Sequence, residues 1–309
     1  MFVTPTILAL LVFLAFILGL CMGSFINCAA LRRQRGESVL RGRSHCQSCG
    51  HTLSVSELVP VLSWLIQGGT CKHCGSRLSL RYPITELLCG LVFAAIVWTQ
   101  AASPAGLSLR TIEFLIFACL LLYLSLVDLD SRTIPDWCII VALLVHVVYL
   151  VIAGPVLGQI DTRTAVIDSL VGGFAIALPL TVVVMVADRV FKRDSMGGGD
   201  IKLFFVAGVY FGWQQCLFLI MFACIIGIIM ALVSQRKLLQ AGEARQEDLS
   251  FSGTELQERG QTEDADYDDS TLPDRLGFKP IRFGPAIAAA CVIIMLIGNE
   301  LNQWYNGLF

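Results

Sequence analysis

The run MGGGDIKLFFVAGVYFGWQQCLFLIMFACIIGIIMALVSQRK, residues 196–237, decides how the chain is read. From Leu203 to Ser234 it carries no charge. A helix crosses the hydrocarbon core with about 20 residues, so the run is too long for one ordinary span, and Gly212-Trp213-Gln214-Gln215 offers a turn within it. Lys202 stands before the run and Arg236-Lys237 after it. Basic residues are retained on the cytoplasmic side, so an even number of crossings separates them. The run therefore divides into two spans, about 201–213 and 216–234. The first is short, which places Asp200 at the membrane edge or slightly inside it.

Six further apolar segments lie outward from this pair, at about 5–30, 86–102, 111–128, 137–153, 169–187 and 283–301. Eight spans predict an all-α polytopic membrane protein. The composition agrees: 309 residues, 56% hydrophobic and 15% charged, with a mean hydropathy of +0.73. These values exclude a soluble domain with a large core. No basic residue precedes the first apolar run, whereas Arg32, Arg33 and Arg35 follow it. That pattern predicts an uncleaved anchor with its N-terminus outside. All Lys and Arg except Arg110 and Arg163 then fall in the cytoplasm, as do Asp128 and Asp200. The lipid bilayer is an expected partner; nucleic acid is not.

Two hydrophilic insertions complete the plan. Residues 1–31 form the first transmembrane helix, and 32–85 a basic, Cys-rich domain in the cytoplasm. Residues 86–237 form a six-helix membrane core, 238–282 an acidic cytoplasmic loop, and 283–309 the last helix with a short tail. Acids outnumber bases between Glu243 and Asp274, a composition that predicts disorder.

Of twelve cysteines, eight lie in or beside apolar segments, where cysteine behaves as a small hydrophobe. The other four stand as Cys46-Gln47-Ser48-Cys49-Gly50 and Cys71-Lys72-His73-Cys74-Gly75. Two such knuckles supply the four soft ligands that zinc takes in a tetrahedron. Paired disulfides are the alternative, but cytoplasmic thiols stay reduced. The expected site is a structural, zinc-ribbon-like four-cysteine centre, with His45, His51 and His73 as bystanders.

Acids at the edge of membrane segments are costly and mark function. Asp128 closes one apolar segment in Val127-Asp128-Leu129-Asp130-Ser131-Arg132-Thr133-Ile134-Pro135; Asp200 opens another after Gly197-Gly198-Gly199. Two neighbouring carboxyl groups do not both ionise readily, so one keeps a proton while the other polarises a water. The pair predicts an aspartic protease working at a bilayer surface. The glycine run would let a substrate backbone approach, and Lys202 would tune Asp200 or else serve as a positive-inside anchor. Pro135 suits the first turn of the fourth span. Asp130, Asp136, Asp188 and Asp194 read as ordinary interfacial or capping acids.

These motifs together resemble the bacterial type 4 prepilin peptidases, the leader peptidase–methyltransferase family of membrane aspartic proteases. The resemblance rests on Gly23-Ser24-Phe25-Ile26-Asn27 with Arg32, the two knuckles, Leu58-Val59-Pro60-Val61-Leu62-Ser63-Trp64-Leu65 between them, and Arg81-Tyr82-Pro83-Ile84-Thr85-Glu86-Leu87-Leu88 after them. It continues through Asp128 with Ile134-Pro135-Asp136 to Gly197-Gly198-Gly199-Asp200-Ile201-Lys202. It implies cleavage of type IV prepilins or pseudopilins after a glycine at the cytoplasmic face of a bacterial inner membrane. It also implies methylation of the new N-terminal amine from S-adenosylmethionine. Asp128 and Asp200 would be catalytic. Asn27, Glu57 and Glu86, near the membrane boundary, are candidates for binding the cofactor or the amine; helix-end solvation, or a pair with Arg81, is the plainer reading. Gln47 replaces a proline common in the first knuckle, and Cys28-Ala29-Ala30 weakens the first-span motif. Two other functions fit intramembrane acids: a presenilin-like protease cutting deep within a helix, and a transporter or assembly scaffold using the aspartates for protons or ions.

Overall fold

A computed structural model describes residues 4–39, 42–102, 106–192, 196–257 and 283–307, without the side chains of 237–257, 299 and 306. The first helix, α1 (Pro5–Gln34), has proline in its first turn and Arg32-Arg33 in its last. Leu10, Phe13, Leu14 and Leu18 lie on its surface. An apolar surface of this kind suits lipid and would promote aggregation in water.

A small Cys-rich unit follows, with a 3₁₀ turn at Val55–Glu57 and a short helix, α2 (Leu62–Ile66). The remaining helices are α3 (Arg81–Ala102), α4 (Leu109–Ser131), α5 (Asp136–Val151), α6 (Thr162–Phe191), α7 (Gly198–Phe211), α8 (Trp213–Gln257) and α9 (Gly284–Asn306). A π-helical turn, Ile152–Val156, extends α5. Among the described residues, strand pairing is limited to the isolated bridges His45–Thr52 and Thr70–Arg77. The protein is thus all-helical with a zinc-ribbon-like insertion.

Each of the eight apolar segments forms a helix. Six are long and apolar enough to cross a membrane: α1, α3, α4, α5 with its extension, α6, and α8 as far as Arg236. The short α7 has 14 residues, and the apolar part of α9 covers Gly284–Gly298. The turn expected at 212–215 narrows to Gly212, whose φ of 74° separates α7 from α8. Pro135 stands just before α5 rather than in its first turn. The backbone of 238–257, read from the sequence as loop, continues α8 to Gln257. Its Leu, Gln, Ala, Glu and Arg are strong helix formers. Residues 258–282 of that segment lie outside the described residues.

Packing is set by small residues, as is usual where lipid supplies no drive for helices to associate. A Cβ on Gly23 would lie 2.8 Å from Glu86 Cα, and one on Gly19 2.7 Å from Gly90 Cα, so α1 presses its backbone against α3. Gly172 of α6 and Gly208 of α7 meet in the same way. α4 runs through the centre. Its Phe117, Leu121, Leu124 and Val127 are buried, as are Leu203, Val206 and Tyr210 of α7 and Ile287, Cys291 and Ile294 of α9. Phe117 stacks on Tyr210 with ring centroids 3.8 Å apart.

One ion pair orients this bundle. Arg81, the first residue of α3, donates through Nη1 and Nη2 to the two carboxylate oxygens of Asp130 at 2.7 and 2.8 Å. Its Nε donates to Asn27 Oδ1 of α1 at 3.0 Å. The bidentate geometry fixes direction as well as distance. It holds the start of α3, directly after the Cys-rich unit, against the end of α4 that carries Asp128.

Candidate active site and metal centre

Asp128 sits in the last turn of α4 and is only 6% exposed. Helix α4 stops three residues later: Arg132 takes a left-handed φ of 54° and its N–H donates to the Asp128 carbonyl. The chain turns through Thr133-Ile134-Pro135 and enters α5.

Asp200 lies in the first turn of α7, whose N-cap is Gly197. Its N–H donates to the Gly197 carbonyl at 3.0 Å. A side chain on Gly199 would meet Ile134 Cβ at 3.0 Å, so the absence of one lets the head of α7 lie against the turn after Asp128. Around Gly198 there is open space among the described residues. Two acids far apart in sequence are thereby carried by adjoining segments, Asp128 just before this turn and Asp200 in the first turn of α7.

The neighbouring charges fall out differently from the sequence reading. Lys202 donates to Asp136 Oδ1 at 2.6 Å, so its ion pair is with the start of α5. Both partners are more than half exposed, and such a pair is worth less than about 1 kcal/mol; it pins register more than it stabilises. Asp130 is no simple solvated acid, since it holds Arg81. Asp194 lies outside the described residues.

The four knuckle cysteines converge, with all ligand sulfurs within 4.8 Å of one another. Cys46 Sγ and Cys74 Sγ are 3.8 Å apart; sulfurs on a tetrahedron with metal bonds of about 2.3 Å are separated by about 3.8 Å. The two knuckles fold alike. Gly50 and Gly75 have φ of 71° and 72°, and their amides donate to Cys46 and Cys71 carbonyls at 3.0 and 2.9 Å. The backbone amides of Cys49 and Ser48 hold the Cys46 thiol down at about 6. The Ser76 hydroxyl keeps Cys74 below the ordinary thiol range. Thiolates are the form a metal binds. The donor set and spacing fit a closed, four-sulfur metal site. His51 and His73 stack on each other with centroids 4.6 Å apart, beside the cluster.

Between this unit and helices α1 and α3 lies a cavity of about 830 Å³. Phe25, Trp64, Tyr82, Arg32, Glu57 and Glu86 are among its lining residues. The three polar residues singled out for a cofactor all have local partners. Glu57 closes the turn at Ser54, accepting from its N–H and hydroxyl at 2.8 and 2.7 Å. Asn27, fully buried, accepts from Arg81 and is not in the cavity wall. Glu86, 5% exposed, accepts from the Val61 N–H at 2.6 Å instead of pairing with Arg81. That bond steadies an unusual conformation. Val61 has φ 60° and ψ −50°, and Leu62 N–H reaches the Pro60 carbonyl, a rare γ-turn strained for a β-branched residue. Tyr82 accepts from Gln47 at 2.9 Å. The Trp64 indole N–H is buried with no acceptor among the described residues.

One buried cluster escaped the sequence reading. Glu113 of α4 hydrogen-bonds His146 Nδ1 of α5 at 2.6 Å, and His146 Nε2 lies 3.0 Å from the Ser169 hydroxyl of α6. Arg110 donates to Glu113 at 2.8 Å and to the Tyr210 carbonyl. Arg110 is the second residue of α4, so this network sits at the opposite end from Asp128. An acid and a histidine inside otherwise apolar segments were its sequence signal.

Fold and site together define a polytopic helical membrane protein with Asp128 and Asp200 on adjoining segments at the end of the bundle that carries a four-cysteine unit. Residues 17–100 match the bacterial peptidase A24 N-terminal domain, and residues 115–232 match the type IV leader peptidase family. The chain belongs to that family. It is similar to the prepilin leader peptidase/N-methyltransferase of Myxococcus xanthus, 35% identical over 229 residues, covering 72% of this chain and 63% of that protein. The protein of the same name from Bacillus subtilis is 29% identical over 290 residues, 94% of this chain and 96% of the relative. That of Pseudomonas aeruginosa is 26% identical over 312 residues, 94% and 91%. No solved structure matches.

If the sulfurs hold one metal ion, purified protein carries about one zinc per chain. Cys46→Ser or Cys71→Ser reduces this to a small fraction, measured by elemental analysis of protein matched for membrane insertion. Retention of full metal content in both variants would exclude the four-cysteine assignment.

Proposed function

We propose that this chain is a membrane aspartic endopeptidase that removes leader peptides from type IV prepilins or pseudopilins. It cuts after a glycine at the edge of the substrate's hydrophobic helix and then methylates the new N-terminus. The observation that carries this reading is the approach of Gly199, one residue before Asp200, to Ile134 in the turn after Asp128, at the end where the four-cysteine unit docks. Arg32, Arg33 and Arg35 lie at that end, and basic flanks mark the cytoplasmic face. The curated relatives bear both activities in their names.

The chemistry follows from two carboxyl groups sharing one proton. A water between them loses a proton to the ionised carboxylate as its oxygen attacks the scissile carbonyl. The protonated carboxyl donates to the carbonyl oxygen. Collapse of the tetrahedral intermediate returns a proton to the departing amine, which becomes the N-terminus of the mature protein. Among the described residues, Asp200 stands beside open space at Gly198, where an extended substrate backbone can lie without side-chain obstruction. The four-cysteine unit takes no part in proton transfer; with zinc bound it is the staple of a domain too small to build a sufficient core.

Methyl transfer is assigned to the cavity beneath that unit. S-adenosylmethionine supplies an electrophilic methyl group when bound. The cavity wall would suit its mixed character: the aromatic rings of Phe25, Trp64 and Tyr82 would hold an adenosyl moiety, and the carboxylates of Glu57 and Glu86 would favour a cationic sulfonium. The Trp64 N–H lacks an acceptor among the described residues, and a buried donor left unmatched is costly. A ligand acceptor would complete it.

Asp128→Asn and Asp200→Asn each lower cleavage of a prepilin by at least ~100-fold while both variants insert normally; gel shift and N-terminal mass analysis report the products. Substantial cleavage by either variant contradicts the dyad. Trp64→Phe weakens the apparent affinity for S-adenosylmethionine by up to roughly 10-fold and leaves cleavage unchanged. Methylation by Trp64→Phe with unaltered cofactor dependence would remove Trp64 from the cofactor site.

A further inference from the structure

The head of α9 touches the site from a direction the sequence does not announce. Gly284 is the first residue of that helix. A Cβ placed on it would lie 2.8 Å from Asp128 Oδ2, 3.1 Å from Cγ and 3.3 Å from Cβ. The first of these is a separation that real side chains do not tolerate. The space a side chain would need is the space the carboxyl group fills.

The two helices have little room to part, so the carboxyl group is what must give. Asp128 is boxed into α4, with Leu124 and Val127 each 3% exposed beside it. Phe283, the residue before Gly284, has its ring over Gly227 of α8 and 6.2 Å from the Phe204 ring of α7. Ala286, Ile287 and Ala290, in the next turns of α9, have no exposed surface. Close-packed interiors pass on such strain. A methyl group on Gly284 is therefore absorbed by the Asp128 carboxyl.

The helix head also has an electrostatic side. Pro285 has no N–H, and the amides of Ala286 and Ile287 both go to the Phe283 carbonyl. The N–H of Gly284 stands at the tip, where the helix dipole favours negative charge. Among the described residues, the titratable and charged groups at this end of the bundle include Asp200 on α7, Asp130 tied to Arg81, Asp136 tied to Lys202, Arg132 in the turn, Arg33 of α1 and Cys138 at the start of α5.

We infer that Gly284 is a positioning residue of the peptidase: its missing side chain sets where the Asp128 carboxyl group stands relative to Asp200. The inference rests on the dyad reading and extends it to a third helix. It predicts a glycine requirement at 284 that comes from the reaction rather than from the fold.

The test uses a matched pair in one helix. A Cβ on Gly298 would also be crowded, at 2.9 Å, but by the side-chain amide of Gln215, away from Asp128. Full-length Gly284→Ala, Gly298→Ala, Asp128→Asn and wild-type protein are reconstituted in nanodiscs. Each is assayed with a prepilin across pH 5–8, and separately for methylation of a pre-cleaved pilin. Gly284→Ala is expected to lose roughly 100-fold in kcat, the size of a 1 Å misplacement, with KM little changed. Its cleavage profile moves by about half a pH unit or more, since the environment of the dyad has changed, and methylation persists. Gly298→Ala keeps the wild-type profile. Wild-type rates and profile in Gly284→Ala, with Asp128→Asn inactive, would overturn the inference alone. A loss matching that of Gly298→Ala, with no shift in profile, would reduce Gly284 to a packing residue and overturn it equally. Activity in Asp128→Asn would instead remove the dyad reading beneath it.

Discussion

The chemistry of this protein depends on how near the head of α7 can come to the turn that ends α4. Gly199 against Ile134 sets that approach. Asp200 follows Gly199 by one residue, and Asp128 stands at the other side of the same turn. A side chain at 199 would push Ile134 back and separate the two helices. The glycine run therefore serves proximity between acids as well as access for a substrate. Packing of α4, α7 and α9 around a shared core holds the segments that carry the two acids in place.

The other charges at this end of the bundle have their own partners. Arg81 takes Asp130, and Lys202 takes Asp136. Asp130 and Asp136 are thus each held by a cation, reaching from α3 and α7. The Arg81 pair does more, because it ties the four-cysteine unit to the helix that bears Asp128. Glu86 does the same from the next turn of α3, anchoring the strained turn at Val61. The unit that frames the cavity and the helices that form the acid pair are held as one assembly, which suits two successive reactions on one substrate.

Much of this was legible in the sequence. Asp128 and Asp200 stand out because ionisable residues in an apolar chain are rare, and the knuckle spacing points to four ligands without help from tertiary structure. The apolar helices followed from hydropathy, six of them long enough to cross a membrane, and a break near Gly212 from parity of charge. The contacts of Arg81, Glu86 and Lys202 were not legible, because each joins elements distant in sequence and any of several acids would have satisfied the same rule. Glu113 and His146 were overlooked since neither has a local motif; only the crossing of α4, α5 and α6 brings them together. The continuation of α8 to Gln257 was masked by acidic composition, where the propensities of individual residues pointed to helix. Gly284 is the clearest case: one glycine in a stretch with several, given meaning only by the carboxyl group opposite it.

The central claim is that the two aspartates address one peptide bond. A structure of the full-length protein in lipid nanodiscs, bound to a prepilin made uncleavable at its scissile bond, tests it most directly. The account predicts the scissile carbonyl between the side chains of Asp128 and Asp200, each within one water of it, at the bundle end that carries the cysteine unit. A scissile carbonyl reached by one aspartate alone, or lying deep between the helices away from both, would contradict it.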